Sequence, residues 1–256
     1  MLNEGDIKAA VIDKLFSAEA LTDAVLINEM VVANWSRRAD LVVANGKLHA
    51  FEIKSDLDSL RRLDGQLETY LHRFDKVTVV STPKFISLIK DSADPRVEIW
   101  CATEEEHGVG ITVARRGVSS NVTNKRILCA YLLKVELVSL LGKQGKVVSV
   151  DMPRNELELL AEVLSIKCLR SFVLDALKRR YRDTFELFCK IRNESTKPTD
   201  LANLSKLKAR FDIPLEPIRV CADESSLNAA WLDLDKIAQK FGPLPADMPS
   251  FVRRRA

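Results

Sequence analysis

Two carboxylates and an ammonium, Asp40, Glu52 and Lys54, stand in the stretch RRADLVVANGKLHAFEIKS, two short apolar runs joined by Asn45-Gly46. The acids lie near the strand ends that the turn brings together, so they can hold a divalent metal beside a phosphodiester. Cutting that bond needs a water in line with the leaving oxygen and positive charge on the phosphorus oxygens. Mg²⁺ supplies much of this, requires oxygen ligands in near-octahedral geometry and often takes only two or three from protein. Asp40 and Glu52 are suitable ligands, and the backbone carbonyl of Ile53 lies beside them. Lys54 is two residues past Glu52, so on a strand the two side chains share a face. Its ammonium could orient or help deprotonate the water, or stabilise charge building on the phosphorus oxygens. The plainer alternative is a cross-strand ion-pair cluster at a sheet edge, worth under about 1 kcal/mol.

Register decides whether the site can form. A two-residue hairpin at Asn45-Gly46 pairs Ala44 with Lys47 and sets Asp40 and Glu52 on opposite faces. A three-residue connection pairs Ala44 with Leu48 and puts Asp40 across from Glu52, with Cβ atoms about 5 Å apart. The metal reading therefore predicts a bulge or longer turn over Asn45 to Lys47, or a bend near Asp40.

The elements that position these residues follow from periodicity. Residues 5–16 carry Ile7, Val11, Ile12, Leu15 and Phe16 at helical spacing, with Asp6 as N-cap or first-turn acid. AVLINEMVVA, ADLVVA and LHAFEIK read as three antiparallel strands. A helix is expected from about Asp56 to Phe74, where Leu60, Leu63, Leu67, Leu71 and Phe74 recur at three and four residues. KVTVVS is a compact strand, Pro83 opens a helix to about Lys90, VEIWCAT is a fifth strand and GITVARR a sixth at the edge. From Asn124 onward the pattern is helical, and the Pro-containing end is expected to be irregular with a helix near Ser225 to Phe241. The expected fold is α/β, an αβββαβ core with a mixed sheet covered on both faces, followed by a mainly helical C-terminal part. The expected divisions are residues 1–116, 117–195 and 196–256.

The residues at the hairpin resemble a known family. RAD at 38–40 and EIK at 52–54 look like the split motif of the PD-(D/E)XK nuclease superfamily, with Ala39 where the motif name has proline. GQLETY supplies Gln66 and Tyr70, similar to the QxxxY signature of RecB-like members, and the wider string to Val80 is similar to small bacterial proteins placed in the superfamily. The resemblance is close over about residues 5–82. It implies a restriction-endonuclease-like core, one or two Mg²⁺ or Mn²⁺ ions and hydrolysis of nucleic acid, in a superfamily that also contains members without catalysis. Under it, Gln66 and Tyr70 join Asp40, Glu52 and Lys54 as catalytic residues that reach the metal-site backbone or the phosphate. In the functional reading Arg62, one turn before Gln66, would contact a neighbouring phosphate; the alternative is that all three are partly buried amphipathic residues packing the helix on the sheet.

Glu29 interrupts an apolar strand, where an unpaired carboxylate is costly; it either extends the metal shell beside Asp40 or pairs with Arg37 or Arg38. Glu4 and Asp6 read as helix-start acids. His49, His72 and His107 do not form a ligand set, and the five scattered cysteines read as small buried hydrophobes in a reducing compartment.

The 256 residues are 46% hydrophobic and 29% charged, a globular balance, and no run approaches the ~18 apolar residues of a membrane span. With no signal-peptide pattern at the start, a cytoplasmic location without membrane partners is expected. A net charge of +3 does not by itself argue nucleic-acid binding, but basic residues gather in LKRRYR and at Arg253 to Arg255, which suits a polyanion and equally a solvated helix face. The stretch from Leu132 to Leu164 is similar to the helix-extended-helix shape of SAP-type DNA-binding modules, and also fits an ordinary helical hairpin. The favoured function is a metal-dependent nuclease acting on DNA, with oligomerisation open. The alternatives are a non-cleaving nucleic-acid-binding or assembly subunit on the same fold and, without a nucleotide loop or nucleophile triad to support it, a small-molecule enzyme.

Overall fold

The computed structural model describes residues 1–33, 36–106, 108–204, 229–231 and 251–253. Met1–Ile213 form one compact unit and Pro214–Ala256 a second. In the first, helix α1 (Glu4–Ser17) leads into strands β1 (Val25–Val32), β2 (Arg37–Ala44) and β3 (Leu48–Lys54). Then come α2 (Leu63–Arg73), β4 (Lys76–Ser81), α3 (Pro83–Ser92), β5 (Glu98–Glu105) and β6 (Gly108–Arg115). The strands form one six-stranded mixed sheet in chain order, antiparallel over β1, β2 and β3, parallel from β3 through β5, and antiparallel again at β6. This is the mixed α/β class that the alternation of periods predicts.

Local chemistry explains the element boundaries. Asn3 caps α1 and forms a reciprocal box with Asp6, each side chain accepting the other's backbone N–H. Asp6 is thus the third residue of the helix. Ile7, Val11, Ile12 and Leu15 are buried as their spacing requires. The parallel strand β4, KVTVVS, is buried along nearly its whole length, as expected of a strand covered on both faces.

Helix α2 corrects the sequence expectation, for it begins at Leu63 and not near Asp56. The intervening acids are committed elsewhere: Asp56 accepts the Leu2 N–H, and Asp58 accepts the Ser55 N–H and hydroxyl in a turn. Such side-chain-to-backbone bonds offer the chain an alternative to helix, and the leucine period alone does not reveal them.

Helices α1 and α2 lie on opposite sheet faces. Lys14 of α1 lies over the Trp100 ring, which packs on Phe51, whereas Tyr70 of α2 bonds to Glu52, the next residue of β3.

The helical part packs against this core. It comprises α4 (Lys125–Ala130), α5 (Lys134–Lys143), α6 (Arg154–Glu162) and the long α7 (Ile166–Ile191), followed by a 3₁₀ turn at Pro198–Leu204. α5 and α6 are joined by turns and loop over 144–153, with no strand between them. Ser165 caps α7, whose Leu169, Val173, Ala176, Leu177, Phe185 and Phe188 are buried, and the helix packs on β1 and β2.

Arg170 of α7 makes a bidentate pair with Asp75, at 2.8 and 3.0 Å. Asp75 also accepts the Leu48 and Val122 N–H groups. In LKRRYR, Lys178 pairs with Asp23 and Arg180 with Glu136, so two of these basic residues are used inside the molecule.

Of the cysteines described, Cys129 is buried, Cys101 and Cys168 are half-buried and Cys189 is exposed, which corrects the expectation of uniform burial. In the second unit, Ala229–Trp231 pair antiparallel with Phe251–Arg253. Ala229–Trp231 fall inside the helix expected over Ser225 to Phe241, and the rest of that stretch lies outside the described residues.

Candidate metal centre

The hairpin adopts the register on which a shared site depends. Ala44 pairs with Leu48 and Leu41 with Phe51, and the turn is three residues long, with Gly46 at φ +100. Glycine suits this position because a Cβ disfavours positive φ. Continued by one step, the register sets Asp40 opposite Glu52.

The strands separate at that step. β2–β3 pairing ends at Leu41 and Phe51, while β2 stays with β1 down to Arg37 and β3 stays with β4 up to Lys54. The result is a fork with Asp40 on one prong and Glu52, Ile53 and Lys54 on the other. In the gap the Asp40 carboxylate accepts the Ile53 N–H at 2.7 Å, replacing the lost ladder bond.

Four of the predicted residues converge on the β3 prong. Glu52 Oε1 accepts from Lys54 Nζ at 2.7 Å and from Gln66 Nε2 at 2.5 Å, and Gln66 Oε1 accepts from Lys54 at 3.2 Å. The Tyr70 hydroxyl lies 3.0 Å from Glu52 Oε2 and 2.8 Å from the Arg38 carbonyl. Glu52 is 2% exposed, Lys54 6% and Tyr70 0%, while Gln66 is half-buried. The four-residue spacing of Gln66 and Tyr70 on α2 therefore aims both at one carboxylate. Burial and the nearby Glu52 charge raise the Tyr70 phenol pKa, keeping it a neutral donor. Arg62 lies exposed at the N-cap of α2, outside the hydrogen-bonded cluster described here.

A second cluster sits beside Asp40. The β1–β2 register places Glu29 opposite Asp40, and Glu29 has φ +58 in mid-strand. Such a conformation costs a non-glycine residue on the order of 1–3 kcal/mol and takes its side chain out of the strand alternation. Its carboxylate meets Lys8 of α1 and the Arg38 guanidinium. Lys8 also pairs with Glu4 at 2.6 Å. One carboxylate oxygen from each of Glu4, Glu29 and Asp40 lies within 4.8 Å of the others.

Lys8, only 4% exposed, was missed in the sequence reading. The signal was present: residues 8, 11, 12 and 15 share one side of α1, so a lysine stands on the apolar stripe four residues after Glu4. Burial disfavours its charge, yet Asp40, Glu29 and Glu4 outweigh that and raise its pKa. Asp40 shows the reverse imbalance: burial and the Glu52 charge push its carboxyl up to about 8, against the opposing pull of Lys8 and the Ile53 N–H.

This donor set fits a hard divalent cation. A carboxylate has about four acceptor positions; three on Glu52 are used, leaving one on Oε2, and Asp40 has further capacity. Asp40, Glu52 and the Ile53 carbonyl are the groups that would hold the cation, and the excess negative charge at Asp40 is what it would relieve. His49, in contrast, is half-buried against Phe51 with its ring nitrogen on the Thr78 hydroxyl, and desolvation there drives its pKa well below the usual value.

The family model for bacteriophage P4 protein cII matches residues 1–205, which contain the fork and the helical part. The chain belongs to this family. A member from Enterobacteria phage P4, protein cII, is 39% identical over 258 residues, covering 100% of this chain and 98% of that protein. A solved structure of a protein of unknown function from Silicibacter pomeroyi is similar at 17% identity and a TM-score of 0.38, over 50% of this chain and 82% of that one. No helix among the described residues is long and apolar enough to cross a membrane.

Proposed function

We propose that this protein is a metal-dependent nuclease that hydrolyses phosphodiester bonds in DNA, on a PD-(D/E)XK-like core. The observation that carries the reading is the fork: β2 and β3 part immediately after Leu41 and Phe51, and the opening brings Asp40 beside Glu52 and Lys54. Asp40, Glu52 and the Ile53 carbonyl would hold Mg²⁺ or Mn²⁺. The bound ion supplies Lewis-acid neutralisation of charge on the phosphorus oxygens. Lys54 orients the attacking water; as the water's oxygen bonds to phosphorus the bond to the leaving oxygen breaks, the water's proton passing to bulk solvent and the leaving oxygen taking one up from it. Gln66 bonds to both Lys54 and Glu52, and Tyr70 donates to the other oxygen of Glu52. Arg62, exposed at the start of α2, is placed to meet a neighbouring phosphate. The phage source of the 39% identical relative favours a mobile-element setting.

The test is a cleavage panel of single-stranded, duplex, branched and RNA substrates with Mg²⁺ or Mn²⁺. Lys54→Ala is expected to slow cleavage by about 10²–10⁴-fold, the usual scale for a positioned proton-handling group. Undiminished cleavage by Lys54→Ala and Glu52→Gln protein, purified free of contaminating nuclease, sinks the assignment.

One observation favours a second reading, a non-cleaving nucleic-acid-binding or assembly subunit. Both oxygens of Glu52 are already engaged by Lys54, Gln66 and Tyr70 in a buried cluster. Equal DNA affinity with and without Mg²⁺, together with no cleavage of any substrate, selects it.

A further inference from the structure

We propose that the Lys8 ammonium is a resident cation that takes the place of a second divalent ion, so that this protein binds one metal per chain. The proposal rests on the metal reading of Asp40 and Glu52 above and concerns how many ions that site accepts. The acids form two groups about the fork. Glu52 lies on the β3 prong with Lys54 and Gln66, while Glu4 and Glu29 lie on the other side with Asp40 between the groups.

Three carboxylates within 4.8 Å are enough oxygen for a second hard cation. Lys8 already occupies that position. Its Nζ pairs with both Glu4 and Glu29, and its charge acts on Asp40. A lysine 4% exposed has little room to leave, since an ammonium must keep partners when out of water. The strained backbone of Glu29 supports a dedicated arrangement, for at φ +58 its carboxylate meets an ammonium coming from α1. An ammonium is a point charge that forms hydrogen bonds but cannot act as a Lewis acid. It balances the acids without giving water a second activation site.

The experiment counts Mn²⁺ bound to the full-length chain by the electron paramagnetic resonance signal of free Mn²⁺, with calorimetry for affinity. Wild type and Lys8→Arg are expected to bind one Mn²⁺, and Lys8→Met, of similar volume but uncharged, to bind two. Glu4→Gln, at an exposed position, provides a variant that leaves the buried lysine in place. It is expected to change Mn²⁺ affinity by less than about threefold, against the roughly 10–100-fold cost of losing a group that supports a metal. Two Mn²⁺ on wild type, one on a folded Lys8→Met, or a Glu4→Gln loss of that larger size overturns the proposal while the metal reading stands. No Mn²⁺ on wild type, as on Glu52→Gln, overturns the metal reading itself.

Discussion

Beside the two ends of β3 lie a buried carboxylate, Asp75, and a half-buried one, Asp40, and their surroundings differ. At the start of the strand, Asp75 accepts two backbone N–H groups and a bidentate Arg170, so each of its oxygens has two donors. At the far end, the Asp40 carboxylate accepts the Ile53 N–H, and besides burial the largest influence on its pKa is the charge of another carboxylate, Glu52. A carboxylate that holds a structure together has its lone pairs filled by the chain, since an unfilled one in the interior is costly. One that serves a cation keeps oxygen in reserve and carries the electrostatic cost in its pKa.

The contrast can be broken most severely at Arg170. Its replacement by Ala leaves the fully buried Asp75 carboxylate without its charge partner, and such losses cost about 3–5 kcal/mol. Chemical denaturation of Arg170→Ala is expected to show a loss of that order, with Mn²⁺ stoichiometry unchanged in the folded protein. A midpoint equal to wild type contradicts the structural role.

Asp40 gives the opposite sign. Its folded pKa of about 8 lies above the ordinary 3.8, so the protonated form favours the fold. That contribution is full below the unfolded value and is lost as pH rises through about 8. Asp40→Asn cannot ionise. Without divalent metal it is expected to melt higher than wild type above pH 8, by about 2–4 °C for each kcal/mol recovered, with the gap closing in acid. Added Mn²⁺ is expected to stabilise wild type and not the variant. A melting difference independent of pH counts against the charge imbalance.

Tyr70→Phe sharpens the comparison by the least. It removes the hydroxyl between Glu52 and the Arg38 carbonyl and is expected to cost about 1–3 kcal/mol in thermal stability. A roughly tenfold weaker Mn²⁺ affinity should accompany it, because Glu52 loses the donor that fixes its outer oxygen. Unchanged affinity would make Tyr70 a packing residue only.

Much of this was legible in the chain. Alternating and helical periods locate the six strands and most helices, because burying one face imposes the period on the residues. The Asn45-Gly46 turn left two registers open, and the requirement that Asp40 face Glu52 selected the one that the structure adopts. Gln66 and Tyr70 were singled out by their resemblance to the QxxxY signature, and their four-residue spacing on α2 lets both reach Glu52. The start of α2 was misplaced because Asp56 and Asp58 bond to backbone groups that no period encodes.

Short-range pattern therefore determined the order of elements, their buried faces and the acids and lysine of the hairpin. The tertiary structure alone decided where β2 leaves β3, how Lys8 of the first helix comes to lie between Glu4 and Glu29, and how Arg170 reaches Asp75 across 95 residues. The physical reason is the range of the forces involved. Backbone hydrogen bonding and apolar burial repeat with a local period, whereas the pairing of buried charges depends on which distant elements close packing brings together.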